Sequence, residues 1–154
     1  MVDDASFETR FVSVRPRLVS LCTSLVGADD AQDVVHDTYL VARRQISQLR
    51  DPSALETWLA RIAVNLCYSQ HRRRRRVVVA EIAETGTAPT RDLALRELIE
   101  RLPARERTIV VLHYGHGYRL EEIAEMLSLT YTNVRSIIAR TRKRLFRQWS
   151  EGGQ

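Results

Sequence analysis

The stretch from Leu120 to Arg147 constrains the fold of this chain more than any other. Apolar residues recur every three or four positions in its first part, which predicts a short amphipathic helix. These residues are Leu120, Ile123, Ala124 and Leu127. The pair Ser128–Leu129 can form a tight turn, after which the Thr130 hydroxyl can accept from the amide of Thr132 or Asn133 and cap a second helix. The pattern therefore predicts a helix-turn-helix.

The second helix of this motif has two distinct sides. Residues at helical spacing are predicted to face inward, namely Val134, Ile137, Ile138, Thr141 and Leu145. The other side is polar or small and consists of Thr132, Asn133, Arg135, Ser136, Ala139, Arg140 and Lys143. In a helix-turn-helix, the second helix enters the major groove and reads base edges from its N-terminal turns. We therefore predict that this polar side binds DNA.

An ordinary helical hairpin with a solvated charged face is the alternative reading of this stretch. The distribution of charge argues against it, because no acid lies between Glu125 and Glu151. The cations in that interval are Arg135, Arg140, Arg142, Lys143, Arg144 and Arg147. A stripe of one sign beside short polar side chains is typical of a surface that contacts phosphates and bases.

Composition sets the outer limits of the prediction. A chain of 154 residues suits one domain or two small ones, and a net charge of +5 with a pI near 9.8 favours a polyanionic partner. Cys22 and Cys67 are far apart in sequence and have no neighbouring Cys/His cluster, so we expect two buried thiols and no metal site or disulfide. No signal pattern and no apolar run of ~18 residues is present, which predicts a cytoplasmic protein without membrane insertion.

The N-terminal part of the sequence predicts two helices. Apolar residues recur in steps of four and three over residues 7–25, which predicts a helix that faces a core. Pro16 falls inside it, so either the helix kinks there or a new helix begins with Pro16 in its first turn. Gly27 ends this helix, and Asp29 or Asp30 begins the next one near the positive end of its dipole. One side of that helix is formed by Asp33, His36, Asp37 and Leu40.

A third helix is predicted after residue 52. Ser53 and Glu56 have the spacing of a serine-to-glutamate capping box, which marks a helix start. Its predicted inward side consists of Leu55, Trp58, Leu59, Ile62, Ala63 and Leu66.

This third helix runs into five consecutive arginines at residues 72–76, and no acid occurs between Glu56 and Glu81. Alone, such a run is as typical of a flexible solvated tail as of a nucleic-acid-binding segment. The same helix also carries Trp58, Arg61, Asn65 and Tyr68. Aromatic and amide groups beside a cationic strip are suited to stacking on and following an unpaired strand, which favours nucleic-acid binding.

The composition changes after the arginines. Residues 77–91 contain acids, small residues, a glycine and a proline, which predicts a linker between two domains. The second domain begins near Asp92, with a short helix before Leu102 and a new helix opened by Pro103. His113 and His116 have no third ligand nearby, so a metal role is disfavoured. We predict an all-α protein with an N-terminal domain at 5–76, a linker at 77–91 and a C-terminal helix-turn-helix domain at 92–150.

Four segments of this chain together resemble the extracytoplasmic-function group of bacterial sigma factors, in the sigma-70 family. They are Asp30–Tyr39, Thr57–Asn65, Leu102–Arg107 and Glu121–Leu127. Each segment alone is weak, but the four occur in the right order with the right gaps, and the resemblance covers nearly the whole chain. It implies a subunit that directs RNA polymerase core to promoter DNA, without a cofactor and without catalysing a reaction itself.

The resemblance also implies roles for the N-terminal residues. The acidic helix would dock on the clamp helices of the polymerase largest subunit through Asp33, His36, Asp37 and Leu40, where His36 departs from the usual glutamine. The helix from Trp58 onward would melt the minus-ten element, and Asn65 would hold a base flipped from the non-template strand. The unpaired strand and upstream phosphates would be supported by Leu49, Arg61, Arg72, Arg73 and Arg74.

For the C-terminal domain, the resemblance implies recognition of the minus-thirty-five element through Arg135, Ser136 and Arg140. This domain would also dock on the flap of the second-largest polymerase subunit, and a dedicated anti-sigma factor would mask the polymerase-binding faces. Two positions depart from the family pattern, since Arg119 stands where a capping serine is common and Ser128 replaces a turn glycine. Ile137 and Ala139 likewise stand where larger or charged residues are usual.

Two other classes of protein remain as alternatives. A stand-alone regulator that binds a duplex operator as a dimer would explain the helix-turn-helix but leave the acidic and arginine-ended helices without a role. An RNA-binding or adaptor protein that uses residues 72–76 would leave the helix-turn-helix unexplained. An enzyme is disfavoured, because no nucleophile turn, phosphate loop or metal-ligand cluster brings Ser, His and Asp together.

Overall fold

The computed structural model describes residues 2–75 and 91–152, with side chains described for 2–70 and 94–152. Over these ranges the chain forms seven α-helices and no strand, which confirms the all-α prediction. The helices are α1 Asp4–Val26, α2 Ala28–Gln45, α3 Leu55–Arg75, α4 Arg91–Glu100, α5 Ala104–Val110, α6 Leu120–Leu127 and α7 Tyr131–Gly152. Two compact units are formed, by Met1–His71 and by Arg72–Gln154. The predicted linker lies almost entirely outside the described residues.

Pro16 lies within α1 and does not begin a second helix. Its ring is on the exposed side of the helix. At the start of α1, the Asp3 carboxylate accepts a hydrogen bond from the Ser6 amide at 2.7 Å. Gly27 ends the helix as predicted, with a φ of 90° and an amide that donates to the Thr23 carbonyl at 3.0 Å. Glycine adopts such a positive φ without steric cost, so it suits the sharp change of direction into α2.

The second helix begins at Ala28, one residue earlier than predicted, and has no side-chain cap. Asp29 and Asp30 lie in its first turn, where their charges are favourable beside the helix dipole. Its buried side packs on α1, and the Tyr39 ring lies 5.9 Å from the Phe7 ring and 5.1 Å from the Phe11 ring between centroids. These aromatic contacts fix the rotation of α2 about its axis and leave its opposite side to solvent.

The predicted capping box at Ser53 and Glu56 is wrong. Asp51 is the cap instead, because its carboxylate accepts from the Ser53 amide at 3.0 Å and from the Ser53 hydroxyl at 2.7 Å. These bonds lower the pKa of Asp51 and begin a short 3₁₀ turn, Pro52–Ala54, that leads into α3. Glu56 pairs with Arg17 of α1 and so ties the start of α3 to that helix.

The buried side of α3 is rotated from the predicted one. Leu55, Leu59 and Ala63 are buried as predicted, whereas Trp58, Ile62 and Leu66 are only half-buried. The buried positions that the sequence pattern missed are Ala60, Val64 and Cys67. Two leucines and several small side chains thus form the buried side of α3, whereas Trp58, Ile62 and Leu66 lie at its edge.

Cys22 of α1 and Cys67 of α3 are both buried and free, as the sequence predicted. The interaction of the two thiols lowers the pKa of Cys22 and, together with burial, raises that of Cys67. Although the two residues are far apart in sequence, they therefore meet in the core of the N-terminal unit.

The C-terminal unit is built on α5, which Pro103 opens as predicted. A π-helical segment, Val111–Gly115, continues α5. The His113 Nδ1 atom lies 2.8 Å from the Tyr118 carbonyl oxygen, and the Tyr118 amide donates to the Leu112 carbonyl at 3.1 Å. Because a carbonyl oxygen only accepts, Nδ1 carries the proton in this contact. The core of the unit contains Ile109, Leu112, Ile123, Met126, Val134 and Ile138.

Candidate nucleic-acid interface

The connection between α6 and α7 is a tight turn of the kind that the sequence predicts. Ser128 adopts the left-handed conformation, with a φ of 56°, and the Leu129 amide donates to the Ala124 carbonyl at 2.9 Å. The Thr130 hydroxyl then accepts from the amide of Asn133 at 3.1 Å, which identifies Asn133 as its partner among the two predicted residues. The helix-turn-helix is thus closed by local hydrogen bonds at both helix ends.

The buried side of α6 differs from the predicted stripe at both of its ends, since Leu120 is only half-buried and Leu127 is not the buried residue at the other end. Ile123 and Ala124 are buried, but Met126 takes the place expected for Leu127, which is half-buried. Met126 is three residues after Ile123, and this is also a helical spacing. At the start of α6, Arg119 makes no side-chain cap and instead pairs with Glu122, with 2.7 Å between Nε and Oε1.

The outward side of α7 has the composition predicted for it. The buried residues are Val134, Ile137, Ile138 and Thr141, and Leu145 is half-buried. The exposed ones include Thr132, Asn133, Arg135, Ser136, Ala139, Arg140 and Lys143. All of the proposed base- and phosphate-contacting side chains of α7 are therefore accessible on one continuous surface. That they contact DNA stays a prediction.

The cations of α7 are not equivalent. Arg144 forms an ion pair with Glu106 of α5 and so holds α7 against the rest of the unit. The Nε atom of Arg140 donates to the carbonyl of Ser136 within the helix, at 3.4 Å. Within the described residues, Arg135, Arg142, Lys143 and Arg147 make no ion pair. The positive charge available to a partner is therefore concentrated on the outward side of α7.

The N-terminal unit exposes an acidic surface on α2. Asp33, His36, Asp37 and Leu40 are all exposed, on the side opposite the buried Val34, Val35 and Thr38. Leu40 is 43% exposed, so this surface combines an apolar side chain with two carboxylates. We call these four residues the α2 acidic face.

A polar cluster supports the edge of the α2 acidic face. The Tyr39 hydroxyl donates to the Glu8 carboxylate and accepts from Arg43 at 3.0 Å. The bond to Glu8 raises the pKa of Tyr39, so the phenol stays protonated and donating. The His36 ring stacks beside Tyr39, with 6.5 Å between ring centroids. Residues of α1 thus help to position side chains on the exposed side of α2.

The predicted strand-binding residues lie on α3 and just before it. Arg61 and Asn65 are exposed and one turn apart, and the Asn65 amide nitrogen donates to the Arg61 carbonyl at 2.9 Å. Trp58 and Tyr68 are half-buried on the same helix. Leu49 is half-buried in the connection before α3, where its amide donates to the Ile46 carbonyl at 3.1 Å. Arg72, Arg73 and Arg74 continue α3, and their side chains lie outside the described residues.

Two exposed aromatic residues of α7 were not singled out from the sequence. Tyr131, the first residue of the helix, is 44% exposed, and Phe146 in its C-terminal half is 74% exposed. Tyr131 follows the capping Thr130 and was therefore detectable by its position. The exposure of Phe146 could not be predicted, because it is next to the inward-facing Leu145 and its apolar character favours a place in the core.

The described part of the chain contains neither a metal-binding group of side chains nor a membrane-spanning helix. There, no group of three or more His, Cys, Asp or Glu side chains is placed to hold a metal ion. Among the same residues, no helix has the length and apolar character that crossing a membrane requires.

Comparison with known proteins places both units in one family. Residues 11–77 match sigma-70 region 2, and residues 92–145 match sigma-70 region 4. The chain is 31% identical over 162 aligned positions to the extracytoplasmic-function (ECF) RNA polymerase sigma-E factor of Haemophilus influenzae, covering 92% of this chain and 86% of that protein. The chain belongs to the ECF sigma factors. Its predicted domain limits, 5–76 and 92–150, stay a prediction.

Other relatives of this sigma factor differ in length and partners. The ECF sigma factor SigM of Mycobacterium tuberculosis is 32% identical over 126 residues, which span 78% of this chain but 64% of SigM. The solved structure of RpoE from Bartonella quintana, in complex with the anti-sigma factor NepR, has 25% identity and a TM-score of 0.69 over 94% of this chain and 96% of RpoE. CnrH, solved with the cytosolic domain of CnrY, has the same fold at 23% identity, with a TM-score of 0.69 over 97% of this chain and 90% of CnrH.

Proposed function

We propose that this chain is an alternative sigma factor that binds RNA polymerase core and directs promoter-specific initiation. In this proposal it reads the minus-thirty-five element with α7 and melts the minus-ten element with α3. The subunit makes and breaks no bond itself, since the polymerase core carries out the chemistry. Because it acts together with the polymerase core, it would be located in the cytoplasm. The observation that carries the proposal is that one chain of this family exposes two helix faces of opposite charge, the α2 acidic face and the outward side of α7.

Recognition of the minus-thirty-five element rests on the outward side of α7. Arginine forks suit guanine edges and phosphates, which assigns Arg135 and Arg140 to bidentate contacts. Thr132, Asn133 and Ser136 supply short polar groups near the helix N-terminus, and the Ala139 methyl suits contact with a thymine methyl. Lys143 lies further along the helix and is assigned to a backbone phosphate. Because Ala139 is small, discrimination by this helix rests mainly on its arginines.

Opening of the minus-ten element rests on α3. Flipping a base out of the stack costs a few kcal/mol, which the protein must return through stacking, hydrogen bonds and phosphate contacts. We assign the flipped base to Asn65, whose amide would exchange its bond to the Arg61 carbonyl for the base edge. Arg61, Leu49 and the arginines at 72–74 would support the unpaired strand. Their arrangement on one helix and its preceding connection supports this assignment.

Assembly with polymerase rests on the α2 acidic face, which we assign to the clamp helices of the largest subunit. The C-terminal unit would dock on the flap of the second-largest subunit. An anti-sigma factor that covers these faces is also proposed, and the RpoE–NepR complex of a structural relative supports it. Residues 77–91 would join the two domains.

The proposal is tested by reconstitution with polymerase core and a supercoiled library of genomic promoters. Transcripts that require both the chain and core would support it. They should be lost with Asn65→Ala, which removes base capture, and with Arg135→Ala, which removes groove contact. Ser20→Ala and Arg96→Ala are matched controls, since both side chains are exposed and lie off the proposed surfaces. Absence of transcripts and of co-elution with core, together with tight symmetric binding to a palindromic duplex, would favour the stand-alone regulator instead.

A further inference from the structure

The two cysteines of this chain lie against each other in the core of the N-terminal unit. They are the only cysteines in the sequence, and they belong to different helices, Cys22 to α1 and Cys67 to α3. Both are fully buried, and both are free thiols. The two thiols interact with each other. We call them the thiol pair.

Two further contacts place α1 beside α3. The Arg10 guanidinium donates to the Pro52 carbonyl, just before α3, at 2.5 Å. One helical stretch later, Arg17 pairs with Glu56 in the first turn of α3. The thiol pair lies further along both helices in the same order, so α1 and α3 run in the same general direction. The meeting of the two sulfurs therefore belongs to an extended contact between these helices.

The need for small buried side chains does not explain this arrangement. A free cysteine often serves as a small apolar core residue, but that use requires no second cysteine opposite it. Alanines supply small buried side chains elsewhere in the same unit, at residues 31, 42, 60 and 63. Two facing thiols with no third thiol in the sequence are instead suited to one specific cross-link. In the cytoplasm, the location proposed above, disulfides are typically transient and redox-sensing.

We propose that the thiol pair is an oxidation site, at which Cys22 and Cys67 form a reversible disulfide that joins α1 to α3 within one chain. The oxidant is a peroxide, and a small-molecule or protein dithiol reverses the bond. The cross-link protects the fold of the N-terminal unit under oxidising conditions. This proposal does not depend on the polymerase-dependent function, because the bond and its effect are measured on the chain alone.

The reaction proceeds in two steps. The interaction with Cys67 lowers the pKa of Cys22, so Cys22 supplies the attacking thiolate. Its sulfur bonds to one peroxide oxygen, the O–O bond breaks, and the product is a sulfenic acid and one water, which carries the thiol proton. The Cys67 sulfur then attacks the Cys22 sulfur, the S–O bond breaks, and the hydroxyl leaves with the Cys67 proton as a second water. Two thiols thereby lose two electrons to one hydrogen peroxide.

Oxidation requires a local opening, since neither sulfur is exposed to solvent. The Arg17–Glu56 pair is 73% and 48% exposed and holds the two helices together only weakly. A transient separation of α1 and α3 is thus a local opening of the kind that native proteins undergo. Once formed, the bond restricts the unfolded chain between residues 22 and 67 and so favours the folded unit. Arg61 and Asn65 are exposed on another side of α3, so the bond leaves them accessible.

The test uses the full chain, reduced with dithiothreitol, freed of it and then exposed to hydrogen peroxide. Remaining thiols are blocked with N-ethylmaleimide in denaturant, and the intact mass is measured. We expect a monomer that has lost two hydrogens and gained no N-ethylmaleimide, with a proteolytic fragment that links Cys22 to Cys67. Dithiothreitol should restore two blockable thiols. Two thiols that remain blockable after peroxide, or a disulfide found only between chains, would overturn the proposal. This readout needs no variant, so it does not depend on how a substitution affects folding.

A second arm measures thermal unfolding of the N-terminal unit. In a Trp149→Phe background Trp58 is the only tryptophan, so its fluorescence reports this unit. We expect the oxidised chain to unfold at a midpoint at least about 5 °C above that of the reduced chain. Cys22→Ala is the matched control, which should form no cross-link and show no rise after peroxide. An unchanged midpoint in the cross-linked chain, or an equal rise in Cys22→Ala, would overturn the protective role.

Discussion

Glu106 of α5 accepts a hydrogen bond from the guanidinium of Arg144 in α7, and the two side chains form an ion pair across the C-terminal unit. One cation of the basic stripe is therefore structural, although the sequence does not distinguish it from its neighbours. Its partner lies 38 residues earlier in the chain. The contact distinguishes the arginine that holds α7 in place from the arginines of α7 that remain available to a partner.

Arg144→Gln should lower the stability of the C-terminal unit by about 0.5–1 kcal/mol, as expected for a partly exposed pair. It should change duplex affinity little. Arg135→Gln, at an exposed position without such a partner, should lower duplex affinity and change stability little. Urea unfolding and duplex titration of both variants check this. If Arg144→Gln weakens duplex binding as much as Arg135→Gln at full stability, Arg144 serves DNA rather than the fold.

Arg119→Ser should stabilise the helix-turn-helix. The serine would occupy the N-cap of α6 and accept from an unpaired amide, while Glu122 at the third helical position would complete a capping box. The lost Arg119–Glu122 pair is exposed and contributes little. The free energy of unfolding of the Arg119→Ser variant should therefore exceed that of the Arg119→Ala variant by ~1 kcal/mol. Equal stability of the two variants would show that the cap does not form.

Thr141→Val should also stabilise the C-terminal unit, by about 1 kcal/mol. Thr141 is 1% exposed, and its hydroxyl has no hydrogen-bond partner within the described part of the chain. Valine keeps the shape and removes the cost of burying an unpaired polar group. Thr132→Val, at an exposed position of the same helix, is the control and should bring no comparable gain in thermal unfolding. A loss of stability in Thr141→Val would mean that the hydroxyl is satisfied in solution.

Removing charge from the α2 acidic face should weaken the complex with polymerase core. We expect the double substitution Asp33→Asn and Asp37→Asn to reduce affinity about tenfold, mainly through a slower association that salt partly masks. The fold should be unaffected, since both side chains are exposed. Glu97→Gln, in the other unit, provides a matched loss of charge. The measurement is the rate at which each variant associates with surface-immobilised core. An unchanged rate would exclude this face from the interface.

Acidification should destabilise the C-terminal unit through His116. Burial lowers the pKa of this histidine below its ordinary value of 6.5. The unfolded chain therefore takes up a proton more readily, so stability is full above pH ~6.5 and falls as the pH drops through the folded-state pKa. Unfolding in urea at pH 8 and pH 5 should show this loss, and His116→Asn should reduce it. An identical pH dependence in the variant would assign the effect to other groups.

Several features of the site could be predicted because they depend on neighbours within one helical turn. The Thr130 cap, the turn at Ser128 and the exposed side of α7 follow from spacings of three and four residues, and the structure agrees with each. The exposed position of the α2 acidic face follows for the same reason. The family could also be predicted from the sequence, because four short segments typical of it occur in a fixed order.

Other features could not be predicted, because they depend on residues distant in the chain. Glu56 pairs with Arg17 of α1, which lies 39 residues earlier, and not with Ser53 as a capping box would require. On α3, both Trp58 and Ala60 had helical spacing, and only packing against the neighbouring helices decided which would be buried.

The sequence by itself determined the helical periods, the turn and the cap of the helix-turn-helix, since these arise from hydrogen bonds and side-chain spacing within a single segment. Only the tertiary structure decided which residues meet across helices. It brought Cys22 to Cys67, committed Arg144 to Glu106 and left Phe146 in solvent. The physical reason is that burial and ion pairing depend on the surfaces that distant helices present to one another, and no local pattern encodes them.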